Sequence, residues 1–461
     1  MILLTAASGP TSSSHCLPSM SCDSTKPSEG VPGEVGRVVD HLFRRESARL
    51  TASLSSIFGM AHLALVEDVV QDALLQALKD WRFHGIPASP TGWLNQVARN
   101  RALDALRREA TLRRRSPEIA ARLQDLKSAP PSAASVLPDE QDEQLQLMFA
   151  CCDPRLPRIS QIMLTLKSLC GFGVSEIARA TLGTPETVAQ RLVRAKRTLK
   201  EKNIVLAVPG ASELPGRMTS VLQTLYLTFN EGYLTHRGEA LVREDLISEA
   251  IRLTSLLLRD PRTAMPEAHA LLALMLFHAS RLNTRSGSDG SLILLAEQDR
   301  SLWDQSLIQR GYHHLKLSMQ GDCVTAYHLE AGIAAVHARA ASYHETQWAE
   351  IRSLYDLLMI QKPTPVVQLN RAIAISMVEG AESGLAALAH VREDGRLANY
   401  FLLHAAEGEL LDRLGRYAEA IAGFDRALSL ECSEPERRLL EQKRARASHG
   451  LTGRRPDAGS I

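Results

Sequence analysis

The run "LVEDVVQDALLQALKDW" limits the fold more than any other stretch of the chain. It places Val66, Val69, Val70, Ala73, Leu74, Ala77, Leu78 and Trp81 at the i, i+3, i+4, i+7 spacing of one helix face. Such a stripe is stable only when other helices cover it. The rest of the chain supplies helices and little else. Ala, Leu and Arg dominate, and helical patterns are punctuated by short Gly, Pro or Asp breaks. No segment alternates apolar and polar residues as a half-buried strand does. The predicted fold is all-α, and a chain of 461 residues is expected to divide into about two to four domains.

Composition shifts mark the divisions. Residues 1–33 are rich in Ser, Pro and Gly and read as a disordered tail or as upstream sequence. A helical unit is predicted over 34–115. A flexible linker over 116–142 follows, marked by "SAPPSAASVLPDEQDEQ", and a second small helical unit over 143–205. The breaker-rich "AVPGASELPG" leads into a long helical part at 215–450. No apolar run approaches the ~20 residues of a membrane span, and the N-terminus lacks a basic segment before its short apolar run, so neither a membrane partner nor a signal peptide is expected. The seven Cys (16, 22, 151, 152, 170, 323 and 432) are odd in number, scattered and without CxxC spacing. That pattern argues against a disulfide framework or a zinc site and for reduced thiols in a cytoplasmic protein, with adjacent Cys151 and Cys152 on a partly buried helix. Net charge is only +1, so a nucleic-acid surface must come from local clusters such as Arg99–Arg115 and Arg191–Lys202.

The second cluster lies in "SEIARATLGTPETVAQRLVRAKRTL". Thr184-Pro185-Glu186 is a helix start, with a hydroxyl N-cap, Pro at the first turn and an acid behind it. Val188, Leu192, Ala195 and Leu199 share the inward face. Glu186, Gln190, Arg194 and Arg197 lie opposite, flanked by Arg191 and Lys196. Arg and Gln suit base edges in a major groove, and flanking cations suit phosphates. Alone, the helix also reads as a solvated basic face. The preceding "VSEIARATLG" makes it the second helix of a helix-turn-helix unit.

In the first unit, the face of the "LVEDVVQDALLQALKDW" helix opposite its stripe carries Glu67, Asp68, Gln71, Asp72 and Gln76, either solvated or facing a protein partner. "GWLNQVARNRALDALRRE" gathers Leu94, Ala98, Ala102, Ala105 and Leu106 on one side. The other side holds Trp93, Val97, Asn100, Arg101, Asp104, Arg107 and Arg108, a mixture suited to stacking and neutralising a single strand. The turn-rich "WRFHGIPASPTGW", flanked by Trp81 and Trp93, is a loop that could hold an unstacked base. The plainer reading places both Trp in the core.

Together these residues resemble a bacterial RNA polymerase sigma factor of the extracytoplasmic-function class, over about Val35–Val205. "EDVVQDALLQALKDW" looks like region 2.1–2.2, which implies that Asp68, Gln71 and Asp72 contact the β′ clamp helices of core RNA polymerase. "GWLNQVARNRALDALRRE" looks like regions 2.3–2.4. There the resemblance implies promoter −10 contacts by Trp81, Trp93, Asn100, Arg101, Asp104, Arg107 and Arg108, with a base captured by the loop between Arg82 and Thr91. "ETVAQRLVRAKRTL" is similar to the recognition helix of region 4. This implies a β flap contact and −35 DNA contacts by Glu186, Thr187, Gln190, Arg191, Arg194, Lys196 and Arg197. Ala189 stands where the family commonly has a polar or basic residue, so base preference at −35 is not carried across.

Beyond region 4, "FLLHAAEGELLDRLGRYAEAIAGFDRALSLE" sets Gly408, Leu411, Gly415, Tyr417, Ala420, Phe424 and Ala427 at tetratricopeptide spacing. "YLTFNEGY", "ALLALMLFHASR", "LLAEQDRSLWD" and "TPVVQLNRAIA" resemble the C-terminal extension of a sigma subgroup with a tetratricopeptide-like domain. The resemblance implies an α-helical solenoid that acts in place of, or beside, an anti-sigma factor, with a regulatory protein or ligand as its partner. Glu297, Asp299, Arg300 and Asp304 read as helical ion pairs, and His313-His314 cannot align two rings on one helix face. No catalytic, metal or cofactor motif stands out. A sigma factor is the expected function. The alternative is a polymerase-independent helix-turn-helix regulator with a ligand- or protein-sensing solenoid.

Overall fold

The structure, a computed structural model, describes residues 33–113, 140–181, 183–233, 244–287 and 291–453. Nearly all of the stretches read as a tail and as a linker, and the side chains of Arg82 and Arg108, lie outside the described residues. Helices carry the fold, and no strand occurs among the described residues, where an isolated antiparallel bridge joins Ser286 to Leu292. The all-α expectation holds. Two compact units are resolved, one within Met20–Thr228 and one built on Phe229–Ile461.

The first unit begins with α1 (Gly33–Phe58), a single 3₁₀ turn (Met60–His62), α2 (Leu63–His84) and α3 (Pro90–Arg113). Val66, Val69, Val70, Ala73 and Ala77 of α2 pack on Leu50 and Leu54 of α1 and on Leu94, Ala98 and Ala102 of α3. Leu78, predicted to join this stripe, is instead about half exposed, while Ala77 before it and Trp81 beyond it stay on the core. The next helices are α4 (Glu140–Cys151), α5 (Arg158–Ser168), α6 (Val174–Ala180) and α7 (Pro185–Glu201), followed by α8 (Leu214–Tyr233). Helix α4 starts inside the segment read as linker. Its second half is mostly apolar and is buried from Leu145 through Cys151 except for half-buried Gln146, and polar Glu143 and Gln144 just before it are buried too.

Two buried carboxylates tie these helices together. Asp153, just past α4, binds Arg155 (Nε to Oδ1, 2.8 Å) and Arg217 of α8 (Nη2 to Oδ2, 2.7 Å), and Arg217 also donates to the Phe149 carbonyl at 2.8 Å. Burial alone would raise the pKa of Asp153. The hydrogen bonds from Arg155 and the charge of Arg217 outweigh that and hold it below the usual value. Glu67 lies on the α2 face that the sequence pattern turned outward, yet it is buried. Ser168 of α5 donates to its Oε1 at 2.6 Å, and Lys196 of α7 binds its Oε2.

Cys151 and Cys152 are free and fully buried, rather than partly so. Burial pushes Cys152 up to about 11 and Cys151 well above its ordinary value, so both are protonated thiols without nucleophilic character at neutral pH.

In the second unit, α9 (Glu244–Leu257), α10 (Pro266–Ala279), α11 (Gln305–Ser318), α12 (Ala326–Arg339), α13 (Trp348–Gln361), α14 (Pro365–Glu379), α15 (Ala381–Glu393), α16 (Phe401–Arg413), α17 (Tyr417–Leu428) and α18 (Glu434–Gly453) pack mostly on their neighbours in sequence. Close crossings depend on glycine: Gly408 of α16 lies under the Phe424 ring of α17, and Gly415 makes the turn between them at φ 72°. The Glu297–Asp304 cluster is not a set of helical ion pairs, because the segment is not one helix. Asp299 caps a 3₁₀ turn and Asp304 caps α11, accepting from Ser306 and Leu307 nitrogens. Arg300 turns inward and donates to the His337 and Ala340 carbonyls and to Thr346.

Two outcomes follow from this packing. A Cβ on Gly408 would stand 2.8 Å from the Phe424 ring, so Gly408→Ala is expected to destabilise the second unit by about 1–3 kcal/mol through overpacking, read by urea unfolding. Lys196→Ala leaves Glu67 buried with only its hydroxyl partner and is expected to cost about 3 kcal/mol, whereas Arg197→Ala on the exposed side should cost far less; thermal unfolding of the two variants compares them.

Candidate nucleic-acid interface

Helix α7 is built as its sequence pattern predicts. The Thr184 hydroxyl accepts from the Thr187 nitrogen at 3.3 Å, Pro185 opens the first turn, and Val188, Leu192, Ala195 and Leu199 are buried. Glu186, Gln190, Arg191, Arg194 and Arg197 are exposed, and Thr187 is half-buried beside the cap. Arg197 pairs along the helix with Glu201 at 2.6 Å. Lys196 is placed differently from the rest, turned sideways onto Glu67 and half-buried. The outward face also presents Val193, 67% exposed, between Gln190 and Arg194. Sequence reading passed over it because its neighbours are charged. An apolar side chain there suits a thymine methyl in a major groove.

The second candidate surface lies on α2, α3 and their connection. Trp81 and Trp93 are half-buried against the α1–α3 core, with ring centroids 5.7 Å apart and planes at 60°. They therefore serve the core and border the connection at the same time. Gly85 leaves α2 at φ 80°, and Phe83 and Ile86 stand 81% and 72% exposed around it. Apolar side chains held out in this way offer a surface for flat rings.

On α3, Asn100 is exposed and accepts from Gln96 at 3.0 Å, and exposed Asp104 pairs with Arg107 at 3.1 Å. Arg101 points toward α2, donating to Asp72 at 3.1 Å and Gln76 at 2.7 Å. Asp68 and Gln71 are open on the outward face of α2, whereas Asp72 is engaged by Arg101. Leu75 and Leu78, about half exposed, continue that face one and two turns on. The surface is thus acidic and apolar together, the character of a protein contact rather than a DNA contact. Leu75 was not singled out in the sequence because it falls off the core stripe, which is itself the signal.

Elsewhere His314 meets His269 of α10, with Nδ1 atoms 3.0 Å apart. Burial and the neighbouring His269 bring His314 down to about 4. No group of three or more His, Cys, Asp or Glu able to hold a metal occurs among the described residues. No described helix is long and apolar enough to cross a membrane.

Residues 42–111, spanning α1 to α3, match the family described as Sigma-70 region 2. Residues 217–319 match a family of unknown function, DUF6596. No solved structure matches the chain. An uncharacterized protein of Rhizobium meliloti (strain 1021), R00370, is 38% identical over 392 residues, which is 85% of this chain and 92% of that protein. The chain belongs to one family with the Rhizobium protein, and it carries a sigma-70 region 2, a domain that supports a role in promoter-directed transcription.

Proposed function

We propose that this protein is a sigma factor of the extracytoplasmic-function class. In this reading α1–α3 bind core polymerase and the melted −10 element, α4–α7 form region 4 with α7 as its −35 recognition helix, and a tetratricopeptide-like array of helices regulates both. The observation that carries it is the combination, within one unit, of a region 2 fold with a capped helix whose outward face is Gln190, Val193, Arg194 and Arg197.

The protein performs no covalent step. The acidic and apolar face with Asp68, Gln71, Leu75 and Leu78 docks on the β′ clamp helices, and region 4 rests on the β flap. Phe83, Ile86 and the Trp81–Trp93 border receive bases of the separated strand, and stacking offsets an unstacking cost of a few kcal/mol per step. The polymerase supplies catalysis. Elements at −10 and −35 are ~85 Å apart along a duplex at 3.4 Å per base pair, so the Lys196–Glu67 contact must part before both are read.

Purified protein added to core polymerase is expected to yield a promoter-dependent transcript; its absence, together with a failure to bind core polymerase, would favour the polymerase-independent regulator. Gln190→Ala and Arg194→Ala should each weaken −35 binding by about 1–3 kcal/mol while polymerase binding is kept, as measured by gel shift and by co-elution with core enzyme.

A further inference from the structure

A cavity of about 540 Å³ opens in the second unit, walled by the end of α8, the connection from α10 to α11, and helices α14, α16 and α18. That volume is in the range of small-molecule sites. Much of its lining is apolar, from Leu294, Val366, Leu369, Ile373, Phe401 and Leu440. Its polar groups fall into two sets with opposite states of balance.

On one wall the charges satisfy one another. Glu409 binds Lys443 and lies 3.6 Å from Arg413 and 3.7 Å from Arg446, and Arg446 reaches Asp412 at 2.6 Å. On the other wall they do not. Arg285 is buried and uses its guanidinium for one hydrogen bond, to the Tyr233 carbonyl at 2.6 Å, while stacking over the Tyr233 ring at 4.0 Å. Arg281 sits 5.8 Å from the same ring, and its side chain makes no hydrogen bond; its Nε is buried without a partner, as is the Tyr233 hydroxyl. Neither arginine meets a carboxylate at ion-pair distance among the described residues. Asn370 of α14, 4% exposed, also lines the cavity with its amide unbonded. Withdrawing a guanidinium from water without a carboxylate in contact is costly; Glu436, which caps Ser433 and also lines the cavity, acts on Arg285 only through its charge at longer range, and burial outweighs it and lowers the pKa of Arg285. Two cations held together on one ring, both lining the cavity and neither paired with a carboxylate, form a site that an anion completes.

We propose that this cavity binds a small amphiphilic anion, with its carboxylate or phosphate against Arg281 and Arg285, its body along the apolar wall, and Asn370 as a further polar anchor. Carboxylate and phosphate share the chemistry that guanidinium recognises bidentately.

The test is calorimetric titration of the full chain with octanoate, octyl phosphate, octanol, octylammonium and a pentapeptide with a free carboxylate. Binding here is measured without polymerase or DNA, so its failure is distinguishable from failure of the sigma assignment. At least one anion is expected to bind saturably, one per chain, and about tenfold or more tighter than octanol; the tighter of the two identifies the head group. Arg281→Gln removes no hydrogen bond of the fold and should weaken the anion about tenfold while leaving octanol unchanged. Asn370→Asp should weaken it as well. Equal binding of octanol, binding of octylammonium, binding of the peptide alone, unchanged affinity in Arg281→Gln, or no binding of either anion would each overturn the proposal.

Discussion

A carboxylate buried between helices that are distant in sequence holds the first unit in its arrangement. Glu67 sits one residue after Val66 on α2, so it is carried to the edge of the core by the same turn that buries Val66, Val69 and Val70. An ionised group there is stable only if neighbours replace its water. Ser168 does so from α5 and Lys196 from α7. The α1–α3 bundle and the α4–α7 set are thereby locked by polar specificity, while Leu147, Met148 and Phe149 of α4 supply the apolar contact. Apolar burial is non-directional and would tolerate a rotated α7. The Glu67–Lys196 pair admits one orientation, and it leaves Gln190 and Arg194 facing outward.

The second unit is stabilised by a different principle. Its helices pack chiefly on sequence neighbours, so each hairpin depends on the next and stability accumulates along the array. Gly408 beneath Phe424, and Gly311 beneath Phe277, bring axes close without a polar bond. Polar groups enter at the places where regular stacking is interrupted. Arg300 inserts between α12 and its following turn by capturing carbonyls at the helix end, which have no partner of their own. Arg281 and Arg285 lie in the same irregular stretch after α10, and there the cations are left without carboxylates. Both arginines line the cavity there.

The parts of the molecule legible in sequence were those set by local periodicity. The inward residues of α7, its Thr184 cap and the α16–α17 hairpin follow from spacing and capping alone, because one helix and its immediate neighbour decide them. Glu67 was placed outward since a helical wheel knows nothing of another helix arriving from 101 residues away. The acids between Glu297 and Asp304 were assigned to ion pairs because a helix was assumed, while their N-cap spacing to Ser301 and Ser306 carried the correct signal. Arg101 lies on the helix face that the sequence pattern offered to a single strand, and its bonds back to Asp72 and Gln76 were not legible there because they join two helices. The cavity in the second unit was invisible for the same reason: Tyr233, Arg285, Asn370 and Leu440 meet only through tertiary structure.

Within the sigma reading, the position of Lys196 couples two states of the first unit. Near DNA, Lys196 is one of several α7 cations, with Arg191, Arg194 and Lys200, and each cation that reaches a phosphate adds a released counterion and a step in salt dependence. Held on Glu67, its charge is neutralised internally and contributes little to that field. Parting the contact frees one cation for the duplex and returns one carboxylate to water, so the electrostatic cost of separation is offset in part by the gain at phosphate. With a whole-chain charge of +1, long-range attraction is weak and these few local cations determine binding. A single ion pair can therefore weigh the closed arrangement against the DNA-bound one, with the balance moving toward closure as salt rises, because salt screens an exposed phosphate contact far more than a buried pair.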